Sequence, residues 1–214
     1  MRTEYLLEPE EKIKRWGPGI WTDEPDEAEW VHEETGLPCM VLRNLELGTL
    51  CGYVGVHETH PWHGKPYDDP DVSVHGGLTF CGLYGDTGIT SVKPADALSA
   101  ERTSTLSAKP DASYVGHWFF GFDCGHAGDL MPQLRTLIES RAREPLFIAS
   151  RMPRTVDDPA WSEGLSGAER VRWLKKLADP MAYFLIDVYR DFVWVRQEVE
   201  ELARQAGAAA PRRT

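Results

Sequence analysis

The chain has 214 residues, with 23 Lys+Arg against 34 Asp+Glu and a formal net charge of −11. That length suits one compact domain able to bury a core without staples. The 19 Gly and 15 Pro predict many turns and argue against a helical bundle or coiled coil.

In chain order, residues 1–36 are acidic and carry Trp16, Trp21 and Trp30 around a Gly17-Pro18-Gly19 break. They read as a loosely structured N-terminal lead-in. Residues 37–205 read as a single α+β domain. Pro38–Arg43 and Leu50–Val56 are short apolar runs separated by a turn, the pattern of a β-hairpin. Residues 57–77 form a long loop rich in His, Pro, Gly and Asp, and a loop of that length inside a compact domain is more often functional than idle. Gly77–Tyr84 predicts a strand with its turn at Asp86-Thr87-Gly88. Residues 91–112 read as a Ser/Ala/Pro/Lys-rich excursion or weak helix. Ser113–Cys124 is the most strand-like segment, and its aromatic content suits a central sheet position. Helices are expected over 130–142 and 168–178. Phe192, Val195, Val199 and Leu202 recur at helical spacing and mark a C-terminal amphipathic helix. Residues 206–214 are expected to be a disordered tail. The whole is an antiparallel sheet in the first two-thirds with helices packed on it.

Charge and composition exclude several functions. Residues 1–140 hold 10 basic and 23 acidic side chains, and residues 141–214 hold 13 and 11. A duplex-binding protein needs a basic stripe to neutralise phosphates, and this chain has none. A small nucleotide-like ligand is still admissible, because a pocket can be locally basic or use backbone N–H groups. No run of 18 apolar residues occurs, so no membrane partner is expected, and the first residues lack the apolar core of a signal peptide. Cys39, Cys51, Cys81 and Cys124 form no Cys-x-x-Cys pair and are read as buried small hydrophobes of a reducing compartment. The phosphate-binding loop, dinucleotide fingerprint and nucleophile-elbow motifs are all absent.

Six of the seven histidines fall between 57 and 126. His75-Gly76-Gly77 and His126-Ala127-Gly128 each place a histidine at a strand boundary beside small residues, where a ligand can approach the backbone. Two chemistries fit. One is paired-histidine acid–base catalysis by His75 and His126, with Asp123 and Asp129 orienting the rings. This needs no cofactor. The other is a divalent metal site, Zn or Mn, with His60, His75, Asp123 and His126 as candidate ligands. His57, His60 and His63 are evenly spaced, but in a Pro-containing loop such spacing does not make them converge. Asp187, Tyr189, Arg190 and Asp191 open the last helix. Asp there suits a helix N-terminus, and Arg190 reaching a phosphate is the sharper reading.

Several of these segments together resemble a family of small accessory proteins carried by tailed bacteriophages and prophages. They are Leu50–Val56, His60-Pro61, Tyr67-Asp68-Asp69, His75-Gly76-Gly77-Leu78-Thr79, the Phe120–Asp129 run and Tyr189-Arg190-Asp191. The resemblance implies a protein acting in the host cytoplasm, where such proteins often counter host defence. On that analogy the expected function is binding and cleavage of a small nucleotide-derived immune signal by phosphodiester hydrolysis. His60, Tyr67, Asp68, Gly76, Gly77, Thr79 and Arg43 would contact the ligand. Two alternatives stand beside it. One is a non-catalytic sponge, for which a homo-oligomer would enclose the ligand between subunits. The other is an acidic protein-binding inhibitor of a host effector.

Overall fold

The computed structural model describes residues 1–85, 88–91, 111–141 and 188–210. Seven strands form one sheet: β1 Arg2–Glu4, β2 Glu27–Val31, β3 Pro38–Arg43, β4 Leu50–Val56, β5 Phe80–Gly85, β6 Gly88–Ser91 and β7 Trp118–Asp123. Their spatial order is β1-β2-β3-β4-β7-β5-β6, and every neighbouring pair is antiparallel. Among the described residues, three α-helices accompany the sheet: α1 Pro9–Trp16, α2 Pro132–Arg141 and α3 Phe192–Ala209. This is an α+β fold with its antiparallel sheet in the first two-thirds and a helix at the C-terminal end. No described helix is long and apolar enough to cross a membrane.

Side chains alternate between the two faces, as the period of a strand requires. Val41, Val54, Phe120 and Phe122 point to one buried layer. Met40, Leu42, Tyr53, Tyr84 and Phe119 point to the other. Helix α3 lies on the first face across β3 and β4, burying Val195, Val199, Leu202, Ala203 and Ala206. Gly52 on β4 permits that approach, since a Cβ there would stand 2.5 Å from both Val199 and the Phe122 ring. Asp191 caps α3 by accepting the Trp194 N–H at 2.8 Å. The long loop between β4 and β5 covers the rest of this face, resting Trp62, Tyr67, Val72, Val74 and Leu78 on the core.

The hairpin of Pro38–Arg43 and Leu50–Val56, the strand ending at Asp123 and the final helix lie where their patterns put them. The strand over 113–124 is shorter than expected. Ala112–Tyr114 is a 3₁₀ turn capped by Asp111, and β7 starts at Trp118 between β4 and β5. The expected helix over 130–142 is α2. The expected helix over 168–178 and nearly all of the 91–112 excursion lie outside the described residues.

Two boundaries differ from expectation. Residues 1–36 are not a loose lead-in, because β1 and β2 are strands of the main sheet and Trp16, Trp21 and Ala28 are buried. Nor does a tail begin at 206. Ala206 is fully buried and α3 runs on to Ala209.

The N-terminal third is locked in place by buried charge. Asp26 Oδ1 meets Lys12 Nζ at 3.0 Å and Arg43 Nε at 2.7 Å, and all three side chains are inaccessible to solvent. Arg43 also donates to the Gly48 carbonyl, the Tyr189 hydroxyl, Glu24 Oε2 and the Pro25 carbonyl. Glu24 accepts from the Tyr189 hydroxyl at 2.8 Å and from the Phe192 N–H at 2.8 Å, which ties this network to the start of α3.

Candidate functional site

Three segments far apart in sequence meet at one end of the sheet. After β7 the chain buries Cys124 and turns through Gly125–Gly128. Asp123 Oδ1 accepts the Gly125 N–H at 2.9 Å, and the Asp129 N–H returns to the His126 carbonyl at 2.9 Å. Asp129 then forms a parallel bridge with Val188, which sets Arg190 beside it. His75 arrives from the β4–β5 loop, fastened by α3. Glu198 Oε2 accepts the His75 N–H at 3.2 Å, while the Gln205 amide accepts the Ser73 N–H and donates to the Ser73 carbonyl. Residues 194, 198 and 205 share one helix face beside the core stripe.

Asp129 is the hub. Its carboxylate is 2% exposed. Oδ2 accepts from His75 Nε2 at 2.7 Å and from the His126 N–H at 3.1 Å, and Oδ1 accepts from Arg190 Nε at 3.0 Å. Burial alone would raise its pKa. The bonds from His75, His126 and Arg190 outweigh that and hold the carboxyl below its ordinary value, so Asp129 is ionised. The His75 and His126 rings meet edge to face with centroids 5.4 Å apart, and Trp194 presses on His75 with centroids 5.1 Å apart. His126 Nδ1 lies 3.6 Å from Asp129 and 3.9 Å from Asp123, beyond hydrogen-bonding distance. It is buried and makes no hydrogen bond. His75, His126 and Asp129 can each offer one ligand atom, and the three atoms lie within 4.8 Å of one another.

Gly76 explains how the ring of His126 is seated. Its φ is +67°, and a Cβ would stand 2.2 Å from His126 Cε1. Only glycine fits there, for both reasons. Gly77 shares the left-handed conformation at φ +82° but faces open space.

Arg190 stacks on Trp194 at 4.6 Å. Its Nε is committed to Asp129, and its terminal nitrogens make no hydrogen bond among the described residues. The side chain is 26% exposed, as are the rings of His75 at 17% and His126 at 30%, so solvent and a small ligand can reach the group.

The structure thus brings together His75, Gly76, His126 and Asp129, with Asp123 at the margin. The remaining candidates lie elsewhere, and no hydrogen bond, ion pair or ring contact links them to this group among the described residues. Arg43 is not a ligand contact, because all five of its N–H donors are spent inside the N-terminal network. His60 is not a metal ligand here. Its Nδ1 accepts the Trp62 N–H, which leaves Nε2 to donate to the Ala206 carbonyl at 2.9 Å, near the end of α3. Burial lowers its pKa, consistent with a neutral ring. Tyr67 is half-buried against the core, Asp68 is exposed, and Thr79 is exposed with its N–H on the Gly121 carbonyl. His57 packs on His117, and His63 faces the Gly116 carbonyl. The evenly spaced histidines therefore do not converge. The cysteines are buried or half-buried. Burial pushes Cys39 and Cys51 up to about 12 and raises Cys81 and Cys124 as well, so none supplies a thiolate.

Sequence reasoning missed Trp194 and Glu198. Their spacing of four on the last helix, with Gln205 seven further on, was the available signal. It sits beside the more conspicuous apolar stripe.

No family model, curated protein or solved structure matches this chain.

Proposed function

We propose that the protein hydrolyses a small phosphodiester at the His75–His126–Asp129 group. The observation that carries the reading is the convergence of two partly exposed imidazoles on one buried carboxylate, with Arg190 bonded to that carboxylate through Nε. Water supplies the nucleophile. The group takes a proton from that water as its oxygen adds to phosphorus, the bond to the leaving oxygen breaks, and the leaving oxygen takes up a proton. The products are a phosphomonoester and an alcohol. Arg190 suits the non-bridging oxygens, since a guanidinium binds phosphate through its planar fork. The resemblance to phage accessory proteins supports a nucleotide-derived host signal as the diester.

Bis(4-nitrophenyl) phosphate tests the chemistry without knowledge of the natural substrate. The wild-type chain should release 4-nitrophenolate. His75→Ala and His126→Ala should each lose at least about a hundredfold in turnover, the low end of what positioned proton transfer contributes. Arg190→Met should act mainly on KM. Full turnover in both histidine variants would overturn the assignment.

A further inference from the structure

We infer that His75 Nε2, His126 Nδ1 and Asp129 Oδ2 form a three-ligand site for a first-row divalent cation, Zn²⁺ above all. The inference deepens the hydrolytic reading of this centre, with a metal-held water replacing direct proton transfer by the imidazoles.

Five observations support it. The donor set is two imidazoles and one carboxylate, a set used by catalytic zinc, with a fourth position left for water. The separations suit a cation. Metal–ligand bonds of about 2.0–2.2 Å put tetrahedral ligands roughly 3.3–3.5 Å apart. His126 Nδ1 lies 3.6 Å from Asp129, while His75 Nε2 lies 2.7 Å from it, the spacing of a shared proton that a cation would displace.

The buried His126 Nδ1 has no hydrogen-bond partner among the described residues. A buried polar atom left unsatisfied costs about 1–3 kcal/mol, and coordination would remove that cost.

The outer contacts are those of a metal carboxylate. Arg190 holds the other oxygen of Asp129, and the His126 N–H fixes Oδ2. Charge points the same way. Among the described residues, Asp129, Asp123 and Glu198 stand at the group with Arg190 as the cation. A bound divalent cation would cancel the negative excess that otherwise opposes a phosphate, and it would bring its water to a pKa of about 7.

The test is calorimetric titration of the chelator-stripped full chain with Zn²⁺ alone, repeated with Co²⁺ and read by visible absorption. One equivalent should bind per chain, with the intense bands of a low-coordinate Co²⁺ site. His126→Ala and His75→Gln should each weaken binding by more than about a hundredfold, and Arg190→Met by about tenfold, as an outer partner does. His57→Ala and His63→Ala should leave affinity unchanged. Circular dichroism of each metal-free variant guards against misfolding, and the two ligand variants act independently if one fails to fold. Wild-type affinity in folded His126→Ala or His75→Gln, or no binding by the wild-type chain, overturns the site. Phosphodiester turnover that persists in chelator removes the metal and keeps the hydrolase. Tight single-site binding without turnover keeps the metal and removes the hydrolase.

Discussion

Gly76 is where backbone and site meet. Its positive φ strains any other residue, and its Cα hydrogens occupy the space against His126. Gly76→Ala should therefore disturb the centre more than the fold. The expected result is loss of 4-nitrophenolate release with a melting temperature lowered by only a few degrees, since the loop sits at the rim. A second residue-scale prediction concerns His60 and His117. Burial holds both below the ordinary 6.5, against the raising effect of their carbonyl partners Ala206 and Tyr114. The unfolded chain takes up these protons near 6.5 and the folded chain only at lower pH. Stability is thus fullest above 6.5 and declines as pH falls below it. Urea unfolding should show a lower midpoint at about pH 5.5 than at about pH 7.5, and His60→Gln/His117→Gln should narrow the difference. An unchanged difference in the double variant would count against this origin.

At the scale of elements, α3 does two jobs with two faces. Its apolar stripe closes the sheet, and its Glu198–Gln205 face holds the loop that presents His75. The jobs separate by mutation. Leu202→Ala should cost about 2–5 kcal/mol of stability, measured by denaturant unfolding, because it opens a cavity in the core. Glu198→Ala/Gln205→Ala should leave stability nearly intact and lower turnover, because Ser73 and His75 lose their backbone anchors. The stripe was legible from Phe192, Val195, Val199 and Leu202, since a 3.6-residue period survives in sequence. Strands β3 and β4 were legible as short apolar runs separated by a turn, and β7 by its aromatic content. Strand β2 was not. It reads Glu27, Ala28, Glu29, Trp30, and the two carboxylates are buried, so its polarity resembled a solvated loop. The pairing of His75 with His126 showed only as two histidines beside glycines at strand ends. Asp129 as their common partner was legible as a nearby carboxylate, whereas its bridge to Val188 depends on chain closure that no local pattern carries.

Across the molecule, the buried Glu24–Asp26–Arg43–Lys12 network fastens the first third of the chain to Tyr189 and Phe192, the residues flanking Arg190 and Asp191. Its charges balance, two cations against two anions, which is what makes burial tolerable. Arg43→Ala should leave Asp26 and Glu24 short of their partner and cost about 3–5 kcal/mol, read by urea unfolding. In sequence Arg43 was only a basic residue ending a strand in an acidic half. Nothing local announced a partner 146 positions away.

The most direct test of the account is mass spectrometry of a panel of cyclic dinucleotides, cyclic mononucleotides and ADP-ribose-type compounds after incubation with wild-type and His126→Ala protein. The account predicts, for at least one compound, hydrolysis products that the wild-type chain forms and the variant does not: one product heavier by one water where a ring opens, or two fragments that together weigh one water more than a linear compound. No new mass from any compound, or the same product from both proteins, would contradict it.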